Sequence, residues 1–179
     1  CGKYGHAFKK CKEPITSYGL ICFRLKNNIL SDQKQINNDN IEYLLIQRKY
    51  TLGYTEFIRG KFFISDIYSI IILFKQMIQS EIDSIMKYDF DYHWNQLWLN
   101  KKSNNFDYIQ SLKKFKYLKE NKNNNNYLVY ILKKYKPIYN IIEWGIPKGR
   151  PNNYEENILC AKREFEEETL YKTHEYKIL

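Results

Sequence analysis

The chain has 179 residues, with 29 Lys and Arg against 20 Asp and Glu, so its formal net charge is +9. This length suits one domain with a small appendage, and 44% hydrophobic residues can fill a core. The basic balance favours a polyanionic partner, either nucleic acid or an anionic membrane surface, or serves solubility alone. No signal peptide or membrane span is visible, since the longest apolar stretch runs only from Ile70 to Phe74. Four cysteines are too few for a disulfide framework and indicate a reducing, cytoplasmic setting.

The first predicted elements are β-strands. Residues 16–25 (TSYGLICFRL) and 41–47 (IEYLLIQ) are apolar and rich in β-formers, and a polar loop joins them. We expect a hairpin with a long connection.

From about residue 62 to residue 136 the sequence is helical in character. Three apolar stripes recur at helical spacing, the first after the cap candidates Ser65 and Asp66. They consist of Ile67, Ile70, Ile71, Phe74 and Ile78; of Ile82, Ile85 and Met86; and of Phe90, Trp94, Leu97 and Trp98. Residues 121–126 (NKNNNN) are a low-complexity loop, and residues 127–136 fit either a helix or a strand.

Residues 141–146 (IIEWGI) predict a short buried strand, and a helix is expected from about Tyr154 to Thr169. Its apolar positions Ile158, Ala161 and Phe165 would dock it on a sheet. Cys22 and Cys160 lie in apolar patterns and are expected in the core.

Acidic residues crowd one surface of that last helix. Glu164, Glu167 and Glu168 are three and four residues apart, so their carboxylates occupy adjoining positions. Such like charges destabilise a bare helix but suit Mg²⁺ or Mn²⁺, which favour carboxylate oxygens. Arg163 is placed to hold Glu167 through a charged hydrogen bond. The alternative is a solvated acidic helix.

The offsets of Gly149, Glu155, Arg163, Glu164, Glu167 and Glu168 argue against that alternative. They reproduce G-x5-E-x7-R-E-U-x-E-E, and the segment resembles the signature of Nudix hydrolases. The resemblance implies a metal-dependent hydrolase of a nucleoside diphosphate linked to another group. One position departs from the pattern: Leu170 stands where the family places a glycine that ends the helix in a left-handed conformation.

Neighbouring segments resemble the mRNA-decapping branch of that family. The run Trp144 to Gly149 (WGIPKG) resembles the W-x-(I/F)-P-K-G segment of decapping enzymes. Residues 50–62 (YTLGYTEFIRGKF) and the segment 89–98, with its Asp89-Phe90-Asp91, are similar to decapping enzymes of poxviruses, African swine fever virus and mimivirus-like viruses.

This resemblance implies cleavage of capped RNA between the α and β phosphates, giving 7-methyl-GDP and 5′-monophosphate RNA in the host cytoplasm. It implies Mg²⁺ or Mn²⁺ on Glu164, Glu167 and Glu168, with Glu167 or Glu168 assisting the water. Lys148 is a candidate phosphate contact or an ordinary loop lysine.

A second possible metal site lies at the amino end. Cys1, His6 and Cys11 have the spacing C-x4-H-x4-C, which resembles the last three ligands of a zinc knuckle. Zinc requires four ligands, so Zn²⁺ is expected only if a further cysteine precedes Cys1. Coincidence is the alternative. Because the chain starts at Cys1 and stops at Leu179, just after the glutamate helix, we expect truncation at both ends.

Lysines interleaved with tyrosines mark a candidate RNA surface. Phosphates and bases could bind there, or the lysines could form an ordinary solvated helix face. The candidates are Lys113, Lys114, Lys116, Lys119, Lys133 and Lys134.

The predicted fold is α+β: a Nudix core, meaning an α/β/α sandwich with a mixed sheet, interrupted by a helical insertion. The expected division is 1–14 partial knuckle, 15–55 first core part, 56–138 candidate RNA-binding insertion and 139–179 core with the Nudix box. Two other functions remain open: a Nudix hydrolase of small substrates such as diphosphoinositol polyphosphates or nucleotides, and an RNA-binding protein with an inactive Nudix scaffold.

Overall fold

The computed structural model describes residues 16–26, 40–98, 106–120 and 127–179. Strands and helices both occur, which confirms the α+β class. The chain forms two compact units, one containing the described residues up to Gln47 and from Trp144 onward, the other containing those from Arg48 to Glu143. The predicted insertion, residues 56–138, falls inside the second unit.

The first unit holds six short strands in antiparallel pairs. Their bounds are β1 Tyr18–Gly19, β2 Phe23–Leu25, β3 Ile41–Tyr43, β4 Ile46–Gln47, β5 Trp144–Gly145 and β6 Lys148–Gly149. The pairs are β1 with β6, β2 with β3 and β4 with β5. The described residues contain no parallel pair, so the predicted mixed sheet stays a prediction.

The hairpin between β2 and β3 confirms the expected pairing, with Phe23 opposite Tyr43 and Leu25 opposite Ile41. The continuous strands predicted over 16–25 and 41–47 are wrong, because each is broken and its halves pair with different partners. The predicted buried strand 141–146 is also wrong. Only Trp144 and Gly145 pair with β4, and Ile141 is 67% exposed.

The second unit is helical, and the described residues give six helices in it. They are α1 Leu52–Ile58, α2 Ile67–Gln76, α3 Gln79–Lys87, α4 Phe90–Trp98, α5 Phe106–Glu120 and α6 Tyr127–Lys134. The last of these shows that the undecided segment 127–136 is helical as far as Lys134. The expected cap of α2 is confirmed, since Asp66 Oδ1 accepts hydrogen bonds from the backbone N–H groups of Tyr68 and Ser69.

The predicted apolar stripes supply most of this unit's core. Ile70, Ile71 and Phe74 of α2 are buried, as are Ile82 and Ile85 of α3 and Phe90 and Trp94 of α4. Met86 was expected among them, but it is 37% exposed. A core position needs a neighbour that covers it, and helical spacing alone does not supply one.

Helix α1 was missed by sequence analysis, and it depends on a buried polar contact. Thr51 caps it by accepting a hydrogen bond from Tyr54 N–H at 3.1 Å. Glu81, which is 6% exposed, accepts hydrogen bonds from Thr51 N–H at 2.8 Å, Thr51 Oγ1 at 2.6 Å and Ile78 N–H at 3.2 Å. One carboxylate therefore ties the beginning of α1 to the beginning of α3.

A second buried polar pair joins α1 to α4. The Tyr54 hydroxyl lies 2.7 Å from His93 Nδ1, and the His93 side chain is fully buried. Burial, together with the positive charge of Lys119, lowers the pKa of His93 to about 4. This histidine is therefore neutral at physiological pH and serves the fold of the second unit.

No helix in the described ranges is long and apolar enough to cross a membrane.

Candidate active site

Helix α7, Asn157–Thr169, carries the glutamate cluster. It packs against β1 and β6 through the buried residues Cys160, Ala161 and Phe165. The predicted core positions Ala161, Phe165 and Cys160 are thus confirmed, while Ile158 is wrong, being 45% exposed. Cys22, also expected in the core, is only partly buried.

Backbone conformation sets the two ends of α7. The helix starts three residues later than predicted, at Asn157, because Tyr154 has a φ of 66° and the N-cap Glu156 is extended, with a ψ of 147°. It ends because Leu170 has a φ of 65° and donates its N–H to Glu166 O at 2.9 Å. Leu170 thus adopts the conformation that the family pattern assigns to glycine.

Arg163 is the centre of the site. Its Nε donates to Glu155 Oε1 at 2.7 Å and its Nη2 to Glu155 Oε2 at 2.8 Å, a bidentate pair. Its Nη1 donates to Glu164 Oε1 at 2.8 Å and to Glu167 Oε2 at 3.3 Å. Hydrogen bonds to Glu155, and next to Glu164, raise the pKa of Arg163 above its ordinary value. One permanent cation therefore orients three carboxylates.

Glu155 serves this network from the loop before the helix. The hydrogen bond from Arg163 and one from Asn152 N–H, at 2.8 Å, lower its pKa to about 2. Both of its oxygens face Arg163. Glu155 is therefore ionised at any physiological pH, and its contacts suit a positioning role.

Glu164 lies directly against the backbone of β6. A Cβ built on Gly149 would meet Glu164 Cδ and Oε2 at 1.9 Å each. Any side chain at position 149 would displace this carboxylate, which explains sterically why the motif has a glycine there.

Glu168 is held by the neighbouring residue of the same strand. Its Oε2 accepts the backbone N–H of Lys148 at 2.9 Å, while the Lys148 side chain is exposed. Strand β6 thus positions two carboxylates, Glu164 and Glu168, and presents a lysine to solvent beside them.

The donor set fits a hard divalent cation in its chemistry. Three carboxylates of α7 adjoin, and the cradle at Gly149 is occupied by one of them. Within the described ranges, no three His, Cys, Asp or Glu side chains already converge on one point. Glu167 and Glu168 are both exposed, and 60% of the Glu167 side chain is accessible against 16% for Glu164. The like-charged carboxylates repel one another, and hydrogen bonds from Arg163 and from Lys148 N–H hold their oxygens in place.

The six lysines predicted to contact RNA fall into two groups. Those with exposed side chains are Lys113, Lys116, Lys133 and Lys134. Lys114 Nζ donates to Gly60 O at 2.7 Å and Phe62 O at 2.6 Å, and Lys119 Nζ donates to the carbonyls of Ile85, at 3.0 Å, and Tyr88. The last two lysines thus bind the carbonyls at the ends of α1 and α3.

The predicted knuckle residues Cys1, His6 and Cys11 lie outside the described residues. Sequence analysis missed two contributions, that of Asn152 and that of Gly19, which lies opposite Lys148 in the β1–β6 pair. A glycine inside a strand pattern signals close backbone approach, and that signal was available for Gly19.

No protein-family model matches the chain. A protein of Acanthamoeba polyphaga mimivirus named for mRNA decapping is 33% identical over the whole chain, which spans 72% of that relative. The mRNA-decapping protein g5R of African swine fever virus (isolate Pig/Kenya/KEN-50/1950) is 34% identical over 92% of the chain, which spans 63% of its length. The Warthog/Namibia isolate gives 32% identity, with the same 92% and 63% coverage. The chain belongs to the family of viral mRNA-decapping proteins.

Proposed function

We propose that the chain is a Nudix-type, metal-dependent pyrophosphohydrolase that removes mRNA caps. The reaction adds water between the α and β phosphates and releases 7-methyl-GDP and 5′-monophosphate RNA. Membership of the viral decapping family supports the substrate. The observation that supports the chemistry is the pair of carboxylates, Glu164 and Glu168, held against the backbone of β6.

Glu164, Glu167 and Glu168 are the proposed ligands of Mg²⁺ or Mn²⁺. When bound, the cation neutralises phosphate charge and activates water for attack. Arg163 orients Glu164 and Glu167 through hydrogen bonds, and Glu155 fixes the guanidinium from its other edge. Glu155 and Arg163 thus position the ligands and need no contact with substrate.

Glu167 is the better placed of two candidates to take a proton from the attacking water. Its side chain is 60% exposed, and its carboxylate accepts a long hydrogen bond of 3.3 Å from Arg163. The other candidate, Glu168, has one oxygen engaged by Lys148 N–H. A base must be reachable by the proton it accepts, which favours Glu167.

Two sets of lysines would contact the RNA. Lys148 stands beside the carboxylates and is proposed to bind a cap phosphate. Lys113, Lys116, Lys133 and Lys134 are exposed and are proposed to follow the phosphates of the RNA body. The host cytoplasm, where capped mRNA is translated, is the proposed location. A zinc knuckle formed with Cys1, His6 and Cys11 would add a further RNA contact.

The test offers cap-labelled long RNA, free cap analogue and small diphosphates to the protein with Mn²⁺. Release of 7-methyl-GDP from long RNA is expected. Turnover of small diphosphates alone would point to the small-substrate class of Nudix hydrolase and would refute decapping.

The site is tested by changing both Glu167→Gln and Glu168→Gln. This removes two anionic ligands at constant size, and we expect the rate to fall at least about 1,000-fold. Glu166→Gln is the matched control on the same helix, because the Glu166 carboxylate accepts a hydrogen bond from the Tyr176 hydroxyl and an amide oxygen can replace it there. Hydrolysis that survives the double substitution would refute the assignment, and RNA binding without turnover in the wild type would indicate an inactive scaffold.

A further inference from the structure

Gly19 of β1 lies opposite Lys148 of β6 in the antiparallel pair. A Cβ on Gly19 would meet the carbonyl oxygen of Pro147 at 2.2 Å and Lys148 Cβ at 2.7 Å. Separations below 3.0 Å are essentially never seen for real Cβ atoms. The two strands can approach this closely only because position 19 has no side chain.

The strand that would be displaced is the one that holds the carboxylates. Lys148 N–H donates to Glu168, and Gly149 leaves the space in which the Glu164 carboxylate lies. Strand β1 contacts both β6 and α7. Its backbone therefore sets the place of β6 relative to the helix that carries the glutamates.

We propose that Gly19 is a positioning residue of the active site, which by its lack of a side chain sets β6 at the distance that Glu164 and Glu168 require. The inference rests on the proposed function, because it assigns those two glutamates to catalysis. Gly19 lies more than a hundred residues from the glutamate helix in sequence.

The kind of collision separates Gly19 from Gly149. At Gly149 the three atoms nearest to an added methyl group all belong to the Glu164 carboxylate, the end of a flexible side chain that can swing away. At Gly19 it would meet a backbone carbonyl, so the strand itself must shift by about 1 Å. A displacement of that size at a catalytic group can cost about 100-fold in rate.

The experiment compares Gly19→Ala with Gly145→Ala. Both residues lie in two-residue strands of the same unit, but a Cβ on Gly145 has nothing within 4 Å. Three experiments are made on each variant. Electron paramagnetic resonance of free Mn²⁺ gives the Kd of Mn²⁺ for the RNA-free protein, steady-state kinetics give kcat and KM for capped RNA, and far-UV circular dichroism reports the fold. We expect Gly19→Ala to weaken Mn²⁺ binding about tenfold and to lower kcat by 10- to 100-fold, roughly as a 1 Å misplacement would. KM should change less than kcat, and Gly145→Ala should match the wild type.

A purely structural role would lower the folded fraction and leave the Mn²⁺ Kd of the folded protein unchanged. Equal Mn²⁺ affinity and kcat in the two variants would overturn the proposal. So would loss of the circular dichroism spectrum in Gly19→Ala, since the glycine would then be needed for folding. The wild type and Glu168→Gln are run beside them. If the wild type does not turn over capped RNA, the proposed function fails. If Glu168→Gln keeps full turnover, the assignment of that glutamate fails, and with it the role of Gly19. If Glu168→Gln loses turnover while Gly19→Ala does not, only the role of Gly19 fails.

Discussion

Glu81 gives the sharpest stability test, because its buried carboxylate accepts three hydrogen bonds in the second unit. Its two oxygens face Thr51 N–H, the Thr51 hydroxyl and Ile78 N–H. In Glu81→Gln one oxygen becomes an NH₂ group, and either orientation of the amide leaves a backbone N–H facing a donor. A buried hydrogen bond to a charged group contributes about 1.5–3 kcal/mol, and the orphaned N–H adds a desolvation cost.

We therefore expect Glu81→Gln to lower the free energy of unfolding by about 3 kcal/mol, and the Tm by about 6–12 °C for a chain of this size. Glu56→Gln is the matched control, since its ion pair with Arg59 joins side chains that are 30% and 45% exposed. It should cost less than about 1 kcal/mol. Urea and thermal unfolding measure both. A loss for Glu81→Gln within about 1 kcal/mol of the control would refute the reasoning.

The remaining predictions concern a buried histidine, a helix end and two lysines. Because the folded pKa of His93, about 4, lies below its ordinary 6.5, the unfolded state takes up the proton first as pH falls. The neutral histidine therefore contributes stability that is fully present above pH 6.5 and is lost as the pH falls toward 4. Between pH 7 and pH 5.5 the wild type should lose about 1 kcal/mol more of its free energy of unfolding than His93→Gln. Equal losses in urea titrations would contradict this. Leu170→Gly should raise the free energy of unfolding by about 1 kcal/mol, because it removes the strain of a left-handed backbone at an exposed leucine. Leu159→Gly, at an exposed position inside the same helix, should lower the free energy of unfolding by a similar amount. Lys113→Gln should reduce the slope of log K for RNA binding against log salt concentration by about 0.7 and leave the Tm unchanged. Lys114→Gln should lower the Tm, because two carbonyls lose their donor. The reverse pattern would refute the division of the lysines into exposed and carbonyl-bound groups.

The helical part of the fold was predictable where an apolar stripe coincided with a cap. Asp66 and the stripe from Ile67 located α2, and its buried residues followed from period 3.6. The last position of that stripe, Ile78, lies beyond the end of α2 at Gln76 and caps α3 instead. Helix α1 escaped because its seven residues contain Gly53, a poor helix former, and its start depends on Glu81, thirty residues away. Sequence periodicity contains no information about such a distant partner.

The strands were harder because each has only two or three residues. Periodicity cannot show where a run such as 16–25 breaks, since the break depends on which partner each half finds. Tyr18 pairs with Gly149 and Phe23 with Tyr43, partners far apart in sequence.

The sequence was enough to predict which residues form the candidate site, but not which groups hold their side chains in place. Fixed offsets located Arg163 and the glutamates on α7, because residues three or four apart in the sequence of a helix are neighbours on its surface. The anchor of Glu168 is a backbone N–H, which every residue except proline has and no side-chain pattern marks. Likewise, the sequence lists lysines without showing that Lys114 and Lys119 bind carbonyls in the second unit.

The two ends of the second unit have a consequence for how the chain can be altered. Gln47 pairs with Trp144 on the β4–β5 ladder, and immediately beyond them Arg48 N–H donates to Glu143 O at 3.2 Å. The backbone thus leaves and re-enters β4 and β5 as it would around a hairpin turn, although the segment from Arg48 to Glu143 lies between. Inserted segments whose ends meet in this way are tolerated well and can be exchanged. A tight Asn-Gly turn in place of residues 49–142, closed by the hydrogen-bonded pair Arg48 and Glu143, would let the two strands pair in their present register, and so offers a minimal scaffold in which the glutamate helix can be studied by itself.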